Sequence, residues 1–164
     1  MTGVFFLPTQ PLDEVEQHLS RLYDKTGATC VLLINISGQL LSYQGSAEGV
    51  DLASLAALVA SDMAAVLEIA RLVDERDQFK LLLHEGENHN VLISNVGPGF
   101  LLAVIFKTSV PIGLVRLFTR ETVTQLLEAV KGFEAPGSRV AQIVDAEFTA
   151  SLASELERAF SDRT

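Results

Sequence analysis

A single cysteine, Cys30, occurs among the 164 residues, so no disulfide framework can close within the chain. It lies in the apolar run CVLLINI and reads as a small buried hydrophobe. Basic residues are also scarce: 12 Lys and Arg stand against 21 Asp and Glu, a formal net charge of −9. Without a basic surface to release counterions, a nucleic-acid partner is disfavoured. The start, MTGVFFLPTQP, has an apolar patch but neither a basic leading region nor a small-residue cleavage site. It does not read as a signal peptide, and the expected location is the cytoplasm.

Catalytic signatures are missing too. There is no phosphate-cradling glycine loop, no serine elbow and no zinc-ligand spacing. The nearest approach is His84-Glu85-Gly86-Glu87-Asn88-His89. Zinc proteases place two histidines four apart on a helix, whereas these lie five apart across a glycine turn, so turn polarity explains them better than a metal. His18 falls on a helix and reads as solvated. Arg71, Arg76, Arg116 and Arg120 could each reach a phosphate, but surface arginines are commoner as ion-pair members. No cofactor, metal site or catalytic residue is expected, and the chain does not read as an enzyme.

What the sequence has in quantity is apolar helix. Asp51 to Val73, DLASLAALVASDMAAVLEIARLV, contains no Pro or Gly, and Asp51 can cap its first turn. At about 100° per residue three faces separate. Leu52, Leu55, Val59, Met63, Val66 and Ala70 form a bulky stripe suited to a core. Ala53, Ala57, Ala60 and Ala64 make a ridge of small residues ending at Arg71. Ser54, Ser61 and Glu68 alternate with Leu58, Ala65 and Leu72 on the third face. One sheet can cover only the first stripe, so the ridge asks for a closely approaching partner, most simply another helix. The alternative is that nothing larger was needed there. Asp62, Glu68 and Arg71 interrupt the run a membrane span requires.

Residues 1–10 read as an N-terminal arm. From Pro11 to Thr26, Leu12, Val15, Leu19 and Leu22 recur at helical spacing, with Gly27 as the stop. Ala28 to Ile36 and Gln39 to Gln44 flank Ser37-Gly38 and read as a hairpin. After the long helix come three strand-like runs, Phe79 to Glu85, Asn90 to Val96 and Phe100 to Lys107, joined by short turn-forming connectors. Pro111 opens a third helix, in which Val115, Phe118, Leu126, Val130 and Phe133 can share a face. The order α-β-β-α-β-β-β-α predicts an α+β sandwich. Its five-stranded antiparallel sheet carries the central helix on one face and the terminal helices on the other. This domain spans residues 11–133. Residues 134–138 read as a linker. In 139–164, Phe148, Leu152, Leu156 and Phe160 recur every four residues, an amphipathic tail that either packs on its own domain or docks on a partner.

The element order, with Leu55-Ala56-Ala57-Leu58-Val59-Ala60-Ser61-Asp62-Met63-Ala64-Ala65 in the central helix, resembles the Roadblock domain family, most closely its bacterial MglB-like branch. Phe79 followed by His84-Glu85-Gly86, and Val104-Ile105-Phe106 followed by Gly113-Leu114-Val115-Arg116, are similar to that branch's later strands and last helix. The resemblance covers Leu12 to Val130, and departs at Ser61-Asp62, where relatives commonly carry Gly-Asn. It implies a homodimer in which central helices lie antiparallel and third strands pair edge to edge. Ala53, Ala57, Ala60 and Ala64, with Phe79, Leu81 and Leu83 of the edge strand, would then form the dimer interface. It further implies that a small Ras-like GTPase is bound at Ala57, Ser61, Ala64, Ala65 and Glu68, and that its GTP hydrolysis is stimulated by positioning the GTPase's own residues. Two other readings fit the residues: a structural adaptor dimer hooked by its tail, and a small-molecule sensor domain.

Overall fold

A computed structural model describes residues 9–75 and 79–132. The expected Phe133, the linker and the tail lie outside the described residues, as does Arg76. Helix α1 (Thr9–Thr26) buries Val15, Leu19 and Leu22 and stops at Gly27, whose φ of 63° is left-handed. His18, expected in water, is half-buried, and its Nδ1 has no hydrogen-bond partner among the described residues. Strands β1 (Cys30–Asn35) and β2 (Leu40–Gly45) form the anticipated hairpin. The Asn35 side chain closes the turn by accepting from the Gln39 amide at 2.8 Å and the Ser37 hydroxyl at 2.7 Å.

Helix α2 (Leu52–Leu72) is followed by β3 (Leu81–Glu85), β4 (His89–Val96) and β5 (Phe100–Lys107), and then by helix α3 (Ile112–Ala129). Phe79, expected inside the third strand, precedes it. All strand pairings are antiparallel, in the spatial order β2-β1-β5-β4-β3. The centre of the sheet is therefore β5, paired with the early strand β1 on one side and β4 on the other. Successive side chains point to opposite faces. Cys30, Leu32, Ile34, Ile93, Leu101 and Ala103 meet Ala56, Val59, Ala60 and Met63 of α2 in one core layer. Val31, Leu33, Leu92, Leu102, Val104 and Phe106 are buried on the other face, under α1 and α3, which pack against each other. This is the α+β sandwich that the element order implies.

The β1–β2 turn reaches over α2. Gly38 has φ +89°, and a Cβ built there would stand 3.0 Å from the Ala57 Cα and 3.6 Å from the Ala60 Cβ. Part of the small-residue ridge therefore admits the chain's own hairpin. We expect Gly38→Ala to destabilise the fold by about 1–3 kcal/mol, because the new methyl needs a left-handed backbone and displaced helix atoms at once. The shift of the urea midpoint measures this.

Candidate interaction surface

Asp51 caps α2 as anticipated: its carboxylate accepts from the amides of Ala53 at 3.1 Å and Ser54 at 3.2 Å, and from the Ser54 hydroxyl at 2.6 Å. These bonds, the Ser54 hydroxyl first, hold the Asp51 carboxyl below the usual carboxylate range. The helix then runs without a breaker for 21 residues, and it is the one described helix long and apolar enough to cross a membrane by length and composition. Its inner stripe is instead packed against the sheet. Val59, Met63 and Ala70 are buried as expected, with Leu52, Leu55 and Val66 partly buried. Ala56, given no role by the face analysis, is fully buried with them.

The outer half of α2 is uncovered. Leu58 is 67% exposed, Ile69 51%, Leu72 72% and Val73 63%, and Ala53, Ala57, Ala64, Ala65, Ser54 and Ser61 are exposed among them. Exposed leucines scattered singly are ordinary, but a contiguous apolar helix face points to a binding surface. The charged residues are Glu68 and Arg71, which pair with each other at 2.5 Å. The Arg71 guanidinium holds the Glu68 carboxyl below its ordinary range, and Glu68 raises Arg71 in turn. Ala60 does not share this face. It is 7% exposed and belongs to the core beneath the helix, which corrects its placement on the outer ridge: at that position the partner on hand is the sheet and the Gly38 turn.

Beside α2 lies the edge of the sheet. Among the described residues β3 pairs with β4 alone, in the register Leu81↔Ser94 to Glu85↔Asn90, so no described strand pairs with its other side. Leu81, Leu82 and Leu83 are half-buried and Phe79 is 37% exposed. The side chain of His84 meets Asp62 of α2, Nε2 to Oδ2, at 2.5 Å. His89 instead stands opposite Lys107 on β5. Among the described residues no group of three or more His, Cys, Asp and Glu is placed to hold a metal ion. The strand-to-strand turn is fixed by a hydrogen bond from the Gly86 amide to the Asn90 side chain at 3.1 Å. Cys30, buried in the α2-facing layer, has its thiol pushed up by burial, as suits an unreactive core residue.

The two flanks of α2 differ. At about 100° per residue, Leu58, Ala65 and Ile69 fall on the side of Asp62, toward β3, while Ala53, Ala57 and Ala64 fall on the side of the Gly38 turn. Ser54, Ser61 and Leu72 crown the helix between them. Sequence periodicity separated these faces but could not say which lay beside the edge strand. The pair Asp62–His84, 22 residues apart in the chain, has no signature in the sequence.

These features fall within a known class. The Roadblock/LC7 domain matches residues 14–106, and the chain belongs to that family. It is of the MglB-like branch. Its fold is similar to that of Myxococcus xanthus MglB, with a TM-score of 0.74 and 29% identity over 79% of this chain and 95% of that one. It is similar also to the gliding protein MglB of Thermus thermophilus, with a TM-score of 0.70 and 26% identity over 79% and 96%. An uncharacterised protein of Aquifex aeolicus (strain VF5) is 22% identical over 125 residues, 73% of this chain and 75% of that protein.

Proposed function

We propose that this chain is a homodimeric cytoplasmic regulator that binds a small Ras-like GTPase and stimulates its GTP hydrolysis. The observation that carries the reading is the adjacency of two surfaces, the exposed apolar outer half of α2 and the edge of β3 that no described strand covers. A second copy related by a two-fold axis satisfies both at once. Edge strands pair through their backbones while the helices close over the joined sheets, and an isologous contact of this kind is self-limiting.

The flanks divide the labour. Leu58, Ala65 and Ile69, beside β3, line the seam together with Phe79, Leu81 and Leu83, and Leu72 on the crown borders it. Ala53, Ala57, Ser61, Ala64 and Glu68 lie away from that edge and face the GTPase. Ala53 thus moves from the seam to the partner surface, Ala57 and Ala64, which the resemblance implied for both, keep only the partner surface, and Ala65 moves to the seam. Stimulation consists in holding the GTPase's own residues and the attacking water in line, which is where phosphoryl-transfer catalysis resides.

Two measurements test this. Light-scattering chromatography of the full chain is expected to give twice the monomer mass. Single-turnover hydrolysis by an MglA-type GTPase is expected to run faster when the protein is added. A monomer mass overturns the pairing, and an unchanged rate despite binding overturns the stimulation.

A further inference from the structure

Among the described strands β3 is weakly held. It is five residues long and carries no fully buried side chain, whereas β1, β4 and β5 are largely buried. Leu82 is its apolar contact with the α2 core layer. Among the described residues no side-chain hydrogen bond joins α2 to the sheet other than that between Asp62 and His84. We propose that Asp62 and His84 are positioning residues, a polar latch that fixes the edge strand against the helix and so sets the geometry of the surface on which the second copy docks. The docking half of this proposal rests on the homodimer reading above; the latch itself does not.

The geometry supports this. His84 shares the α2-facing side of β3 with Leu82, two residues before it, and extends that row beyond the apolar core. Its Nε2–H donates to a carboxylate rooted mid-helix, where the backbone is rigid. Both side chains are part-exposed, His84 54% and Asp62 35%, so the bond adds little to global stability. Its influence is local, on a strand with little other packing. Few buried contacts and a free edge are what permit local opening, and one cross-link at the strand's end narrows the positions it samples. Because seam residues come from both α2 and β3, the two must be held in one relative placement for both to engage a second copy.

The test is hydrogen–deuterium exchange across residues 79–86 of the full chain, with the dimer dissociation constant measured in parallel. The variants are Asp62→Ala, His84→Ala, their double mutant and Asp62→Asn, whose amide oxygen still accepts from the imidazole. Each alanine variant is expected to speed exchange of β3 by about 2–5-fold, the range for a half-exposed charged pair. Dimerisation should weaken by about 5–20-fold, since a two-fold dimer contains the pair twice. The double mutant should be no worse than either single, because each removes the same interaction. Asp62→Asn should stay near wild type, an outcome that a role in net charge would not give. Unchanged exchange in the single variants, or effects that multiply in the double, overturn the latch. Should an alanine variant fail to fold, the cycle is run with Asp62→Leu and His84→Phe, neither of which can form the hydrogen bond. A wild type that stays monomeric at every concentration overturns the homodimer reading and the docking half with it, while exchange of β3 in the monomer still decides the latch.

Discussion

Leu58→Arg is expected to leave a folded monomer that no longer pairs. Leu58 is 67% exposed on the side of α2 nearest β3, so the isolated chain loses almost no packing when it is replaced. At a two-fold helix seam the same change drives two guanidinium groups into an apolar contact whose nearest carboxylate, Asp62, is already engaged by His84. An unpaired buried charge costs about 3–5 kcal/mol, so the dissociation constant should rise by about 100-fold or more. Sedimentation velocity should show a single species of 17.7 kDa, with the circular dichroism of the wild type retained. Ala64→Arg, on the opposite flank, is the comparison. It should preserve the dimer and abolish GTPase binding. If the two variants exchange these behaviours, the flanks of α2 have been assigned the wrong way round.

Phe106→Ala is expected to give the largest loss of stability. Phe106 is completely buried on β5, the middle strand of the sheet, opposite Asn90 and on the face covered by α1 and α3. Removing a ring there costs about 3–5 kcal/mol, the lost transfer energy plus the cavity that a rigid central strand cannot collapse to fill. Set against the about 5–15 kcal/mol that holds a typical domain folded, this is a large share. Chemical denaturation followed by far-ultraviolet circular dichroism should show the midpoint fall sharply. Leu117→Ala, at a position 62% exposed on α3, should change stability by less than about 0.5 kcal/mol.

Much of the fold was legible because its signals are local. Asp51 before an unbroken apolar helix, Gly27 after a periodic one and Ser37-Gly38 between two strand-like runs each rest on backbone chemistry within a few residues. The buried stripe of α2 was readable for the same reason: Val59, Met63 and Ala70 follow from helical periodicity. Ala60 was misplaced because an alanine is compatible with a core, a helix seam or an empty surface, and its size does not separate them. His18 was misread because one polar residue on an amphipathic helix can stand at the boundary of the buried face, where its ring is partly covered.

By itself, the sequence determined which segments are helix or strand, that one sheet takes helices on both faces, and that α2 carries more apolar surface than one sheet can cover. Periodicity fixes angles around a helix axis, and those survive whatever the rest of the chain does. The tertiary structure alone decided what stands beside each angle. The order β2-β1-β5-β4-β3 joins β1 to β5 across most of the domain, and that long-range pairing puts the Gly38 turn along one flank of α2 and His84 of the open edge along the other. Strand order depends on which distant backbones share hydrogen bonds, a choice that no local pattern of side chains encodes.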